Sequence, residues 1–198
     1  MAEKKVYSKL GEALAKGDFI LTGELEPEKT CDLSHLVQEA KEMAPFVVAA
    51  NVTDSPLGIV TINSLAASYI VQRDAGLECI WQLTVRDVNK LGIVGMIMGA
   101  QALGIHNVLS LTGDHPNMGD MPESKPVFDL DSATLVKLVR ELVDSGAING
   151  KEIEHPPKLH VGAAANPNSD PMEAEALKIG RKAEAGAEFI QTVGEKKS

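Results

Sequence analysis

Six short apolar runs, separated by stretches of helical pattern, constrain this chain more than any other feature of its sequence. The runs are FILTGEL (19–25), FVVAANV (46–52), ECIWQLT (78–84), NVLSLT (107–112), LHVGAAA (159–165) and FIQTV (189–193). They are nearly continuous in apolar residues rather than alternating, as expected of strands covered on both faces. Between them, DLSHLVQEAKEMA opens with Asp32 as an N-cap and sets Leu33, Leu36, Val37 and Ala40 on one face. SATLVKLVRELVDSG repeats Leu135, Leu138, Val139, Leu142 and Val143 at helical spacing, with Gly146 where a C-terminal cap belongs. DPMEAEALKIGRKAEAGAE begins with Asp170, Pro171 at the first helical position, and Glu173 three residues after Asp170. Strand–helix repetition at a spacing of about 30 residues predicts a parallel α/β sheet.

The 198 residues form one domain, 1–198, in which 1–17 read as an N-terminal helical extension and 113–131 as a long loop after the fourth strand. A loop of that length is more often functional or mobile than idle. With 28 acidic against 19 basic residues the net charge is -9, which argues against nucleic acid as the main partner. A small anionic cofactor held by one or two local cations and a helix N-terminus stays compatible with that charge. Cys31 and Cys79 fit no metal or redox spacing, and the five histidines fit no zinc spacing, so no metal site is expected. The longest near-apolar run, 91–105, is about three residues short of a spanning helix. No membrane partner and a cytoplasmic location are the expectation.

Each strand runs into polar residues. They are Glu24 and Glu26; Asn51, Thr53 and Asp54; Gln82, Thr84, Arg86 and Asp87; Thr112 and Asp114; Asn166 and Asn168; Gln191 and Thr192. Alone, Asp114 in TGDHP is a turn former. Beside five other polar strand ends it belongs to a rim, and in parallel α/β folds that rim binds ligands. Carboxylates sharing a pocket with amides and hydroxyls suit acid–base work on a polar heterocycle. Glu24, beside an apolar strand end and other acids, has grounds for a raised pKa and a general-acid role; the alternative is a rim Glu bonded to a backbone amide. Glu175, Lys178 and Lys182 share a helical face beside Ala176, Ile179 and Ala183, which suits ribose and phosphate or is simply solvated. Gly92, Gly95 and Gly99 read as close helix–sheet packing, and Trp81 and Met98 as core. No dinucleotide fingerprint or P-loop occurs.

In order, TGELEP, NVTDSP, QLTVRD, GIHNVLSLTGDHP, KPVFDLDS, VGAAANP and KAEAGAEFIQT resemble the methylenetetrahydrofolate reductase family across residues 18–192. The resemblance implies a (β/α)8 barrel of the TIM type that binds FAD and reduces 5,10-methylenetetrahydrofolate to 5-methyltetrahydrofolate, in one-carbon and methionine metabolism. It implies that Glu24 is the acid that protonates the folate at N10, opening the five-membered ring to an iminium that takes a hydride from reduced flavin. It places Asp114 beside flavin and pterin, with Thr112 and Gly113 as cofactor contacts and Gly162 and Ala164 lining the flavin. It assigns Glu175 to the flavin's ribose and Lys182 to its pyrophosphate. Asn51 and Gln82, from the rim, complete the cofactor-binding set. NADH, NADPH or another donor supplies electrons.

Four departures accompany the resemblance. Gln82 stands where the family often has His, Thr112 where some members have Arg, and Ala164 where there is an aromatic. Thr192 is followed by Val193 instead of the family's pterin-reading Gln. With six β/α units, the expected architecture is an incomplete barrel, since the full fold takes about 250 residues. Its first and sixth strands would carry unpaired edges, to be covered in a homo-oligomer or by a partner subunit. Three origins are open: a truncated gene product, a partial barrel completed by another chain, or a short relative of altered activity. Two alternative functions follow, a non-catalytic accessory subunit and a pterin-dependent methyltransferase-type barrel.

Overall fold

Every one of the six apolar runs contains a strand. The computed structural model describes residues 5–192. Its elements are α1 (Lys9–Lys16), β1 (Thr22–Leu25), α2 (Ser34–Met43), β2 (Ala49–Val52), α3 (Ser64–Ala75), β3 (Cys79–Thr84), α4 (Lys90–Ala102), β4 (Asn107–Leu111) and α5 (Ser132–Ser145). There follow a two-residue hairpin of β5 (Ala147–Ile148) and β6 (Lys151–Glu152), then β7 (His160–Ala165), α6 (Met172–Glu184) and β8 (Phe189–Thr192). The six long strands form one parallel sheet in the order β1-β2-β3-β4-β7-β8. The sheet curls into part of a TIM-type barrel. Glu24 on the first strand and Gln191 on the last line the same cavity, which a flat sheet would not permit.

The period-2 alternation of strand side chains divides the core. Trp81, Leu83, Val108, Val161 and Ala163 point outward into the layer under α4 and α5; Leu25, Ala50 and Val52 do the same under α2 and α3. The opposite parity points inward, where Ala49, Ile80, Leu109 and Phe189 fill the lower part of the half-barrel with Leu10 of α1. Trp81 is fully buried, and its indole N–H donates to Ser64 Oγ at 3.0 Å. Truncating such a residue to Ala typically costs about 3–5 kcal/mol.

α1 closes the base. The backbone N–H groups of Lys9 and Leu10 donate to the Glu78 carboxylate at 2.8 and 2.9 Å, and Ser8 Oγ donates to Asn107 Oδ1 at 2.7 Å. Tyr7 N–H donates to His160 Nε2 at 3.0 Å, so that nitrogen carries a lone pair and the ring proton sits on Nδ1, 3.2 Å from Glu188 Oε1. A Cβ on Gly11 would collide with the His160 ring. With the base plugged, the half-barrel opens at the carboxyl ends of its strands.

Several local expectations are corrected. The N-cap of α2 is Leu33, one residue later than expected; Asp32 Oδ1 instead accepts the Ser34 N–H at 2.9 Å in a tight turn. The N-cap of α6 is Pro171, with no side-chain cap bond, and Asp170 plays no part. In α6 the buried residue is Glu175, while Ala176 and Ala183 lie exposed, because few groups cover that helix. Gly95 and Gly99 face open space rather than a packed surface, and Met98 is exposed. Val193, the expected last residue of the sixth strand, lies outside the described residues, as do residues 1–4 of the N-terminal extension. No helix among the described residues is long and apolar enough to cross a membrane.

Candidate functional site

The inward parity that builds the lower core also delivers polar side chains one level higher. Register pairs Glu24 with Asn51, Gln82 with Leu109, and Ala164 with Gln191. Above the Ile80–Leu109–Phe189 layer the inner face turns polar at Asn51, Gln82 and Gln191, two residues past Ala49, Ile80 and Phe189, while Leu111 and Ala164 keep it apolar on β4 and β7. The result is a cavity of about 470 Å³ lined by Glu24, Asn51, Gln82, Thr112, Gly113, Asp114 and Ala164, all nominated from sequence, together with Thr53, Asp54 and Gln191.

Three buried side-chain atoms among the described residues lack a hydrogen-bond partner: Asn51 Oδ1, Thr53 Oγ1 and Gln191 Oε1. All three residues line this cavity. Asn51 Nδ2 donates to Gly23 O at 3.3 Å, which fixes the amide so that its oxygen is the free acceptor. Buried polar atoms are ordinarily satisfied, so three orphans in one cavity describe a surface shaped for a ligand with hydrogen-bonding edges.

Glu24 is exposed on its edge strand, yet partial desolvation, and secondarily the neighbouring Glu26, push its carboxyl above the usual range. Exposure limits the size of that effect. Asp54 is half-buried; its burial raises the carboxyl, opposed by bonds from Thr84 N–H at 3.0 Å and Thr84 Oγ at 2.9 Å to Oδ2. Asp114 Oδ2 accepts the Leu57 N–H at 2.7 Å, so the β4 loop is bonded to the β2 loop across the mouth.

A second hollow of about 320 Å³ adjoins the first and shares Thr112 with it. It is lined by Ser132 at the start of α5 and by Glu175, Lys178, Arg181 and Lys182 of α6. Three cations meet two carboxylates there: Lys178 pairs with Glu175 at 3.3 Å and Arg181 with Asp131 at 3.9 Å, while Asp131 also caps the α5 N-terminus through the Thr134 N–H. Lys182 Nζ donates to Ala164 O at 2.6 Å, and desolvation lowers its pKa against the opposing pull of Glu175. Glu175 Oε1 accepts the Asn166 N–H at 3.0 Å, chiefly for which reason its carboxyl is held below the ordinary range.

Of the nominated residues, the structure separates one from the rest: Gly162 lies lower on β7, where the Phe189 ring occupies the space a Cβ would need. Sequence reasoning left Thr53, Asp54 and Gln191 as unassigned rim residues and Arg86 likewise. For Thr53, two residues past Asn51, and Arg86, four past Gln82, even spacing along the strand was the signal that could have singled them out; Asp54, three past Asn51, and Gln191, on a strand with no nominated residue, carried no such signal.

The sequence model of the family described as Methylenetetrahydrofolate reductase matches residues 9–193. No curated protein matches the chain. Among solved structures, the spore cortex-lytic enzyme SleL of Bacillus cereus is similar at 10% identity and a TM-score of 0.47, over 88% of this chain and 42% of that one. The chain thus spans less than half the length of that protein.

Proposed function

The chain belongs to the methylenetetrahydrofolate reductase family, and from that premise we propose that its strand-end cavity reduces 5,10-methylenetetrahydrofolate to 5-methyltetrahydrofolate with FAD as cofactor. Family membership supports folate one-carbon reduction as the class of reaction. The observation that carries the finer reading is the meeting of an acid of raised pKa, Glu24, with three orphaned acceptors in one cavity.

The residues present fit a flavin dinucleotide. Asn51, Thr53 and Gln191 offer free acceptors to a heterocycle with N–H edges, and Gln82 and Ala164 line the same wall. The adjoining hollow offers Lys182 to a diphosphate, with Lys178 and Arg181 available once they part from Glu175 and Asp131, and Thr112 at the junction. Gly113 and Asp114 close the mouth side. Bound there, the flavin supplies hydride chemistry. Glu24, kept protonated to higher pH than an ordinary Glu, gives its proton to N10 of the folate, which opens the five-membered ring to an iminium at the methylene carbon. Asp114 holds negative charge at the rim, where it tunes the electrostatics of reduction. The electron donor is NADH, NADPH or another carrier.

Added FAD should bind the purified protein and show a perturbed flavin absorbance; an unchanged spectrum and unquenched fluorescence would sink the cofactor. Glu24→Gln should lower folate reduction by about 10²–10⁴-fold while sparing reduction of the flavin by its donor. Equal loss of both half-reactions counts against the role of Glu24.

The free edges of β1 and β8 favour a second reading, an accessory half-barrel that pairs with another chain. Among the described residues each of these strands is paired on one side, and Phe19 and Phe46 near the β1 edge are exposed. A compact monomer by size-exclusion chromatography with light scattering would argue against it.

A further inference from the structure

The long loop at residues 113–131, its neighbour between β2 and α3, and the segment after β3 meet on a single side chain that the functional reading leaves unused. Arg86 follows β3, and its side chain is only 4% exposed. Its Nε and Nη2 donate to the Asp87 carboxylate at 2.9 and 2.7 Å. Its Nη1 donates to two carbonyls, Ser55 O at 3.0 Å and Asp114 O at 3.4 Å. Its own carbonyl accepts the Val127 N–H at 2.8 Å, from the far end of the long loop.

Other contacts lie around the same point. Asp114 Oδ2 holds Leu57 N–H at 2.7 Å, and Asp120 Oδ1 holds Val60 N–H at 3.0 Å while its second oxygen pairs with Lys29. Ser55 and Leu57 sit at positive φ, 48° and 56°, a conformation that non-glycine residues adopt only when their surroundings impose it. Gly113, φ 87°, brings the β4 loop so near that a Cβ there would lie 3.0 Å from Thr84 Cβ and 3.1 Å from Arg86 Cβ. A buried guanidinium holds five donors in a rigid planar fork and so fixes its partners' relative positions, whereas an ammonium offers three rotatable donors on a flexible stem.

We propose that Arg86 is the positioning residue of the mouth: by holding the Ser55 and Asp114 carbonyls on one nitrogen it sets the separation of the β2 and β4 loops, and so aims the Asp114 carboxylate. This rests on the reading above that Asp114 faces the ligand. Arg86 itself touches no reacting atom. Its effect passes through Asp114, so removal of either residue should mask the other.

The test is a double-mutant cycle of Arg86→Lys and Asp114→Asn, read in two ways. In the ligand-free protein, amide hydrogen exchange at Leu57 should quicken about tenfold in each single variant and no further in the double. FAD affinity, by fluorescence titration, should fall about tenfold with Arg86→Lys in the wild-type background and stay unchanged in the Asp114→Asn background. If Arg86 serves stability alone, Tm falls while Leu57 stays protected, or the two changes multiply; either result overturns the inference. If the wild-type protein takes up no FAD, the flavin reading fails, and the exchange arm still decides for or against Arg86. Should Arg86→Lys not fold, Asp87→Asn frees the outer side of the same guanidinium and should deprotect Leu57 in the same direction; unchanged protection there would overturn the proposal.

Discussion

Glu24 stands on the edge strand of the sheet, and that position governs how it titrates. Burial is the larger cause of its raised pKa and Glu26 the smaller. A raised carboxyl stays protonated through the ordinary range and loses its proton as pH climbs through the higher value, so acid catalysis falls on the alkaline side. Glu26→Gln removes the smaller cause. The Glu24 midpoint, followed by carboxyl-carbon NMR, should move to lower pH yet stay above that of an unperturbed Glu; no movement would remove Glu26 from the account. At this scale sequence reasoning located Glu24, Asn51, Gln82 and Asp114 because each ends an apolar run. It could not find the role of Arg86, whose carbonyl partners lie 28 and 31 residues away on loops of irregular path. Nor could it tell that Gly162 faces a ring from the next strand, since that depends on register between β7 and β8.

Among the elements, α5 was the most legible and α6 the least. Asp131 N-caps α5 in a capping box with Thr134, whose N–H donates to Asp131 Oδ1 at 2.7 Å, and Gly146 ends the helix at φ 63°. Local chemistry and burial agree there, as Leu135, Leu138, Val139, Leu142 and Val143 all face the core. Asp131→Ala should cost about 1 kcal/mol, or about 2–4 °C in Tm for a chain of this size, measured by thermal unfolding. The Asp131 carboxyl is held low, first by the Thr134 N–H bond, so its contribution is present above the unfolded pKa and lost as pH falls through the folded one. The loss of Tm in the variant should therefore shrink in acid. In α6 the sequence offers a start signal of equal quality in Asp170-Pro171, but the cap bond does not form. There Glu175 turns inward to the Asn166 N–H, a tertiary contact that local pattern does not encode.

For the molecule as a whole, strand number, parallel direction and the gathering of polar strand ends around one cavity were all legible, because alternation of strand and helix leaves few topologies. The surfaces left uncovered were less so. Phe19 and Phe46, inside apolar runs, precede their strands and are 91% and 75% exposed. With the edges of β1 and β8, which are unpaired among the described residues, they make self-association the expected behaviour. Light scattering across a concentration series should show growing mass, reduced by Phe19→Ser with Phe46→Ser; an invariant monomer in both proteins would contradict this. The plug at the base has a temporal consequence. Tyr7 binds His160 across 153 residues, and Ser8 binds Asn107 across 99. During synthesis α1 emerges first, but its partners on β4 and β7 emerge long afterwards, so a large loop must close before the helix can dock. Docking of the first helix is thus expected late in folding, and pulsed hydrogen exchange should show the Tyr7 amide gaining protection no earlier than β7; earlier protection would contradict this.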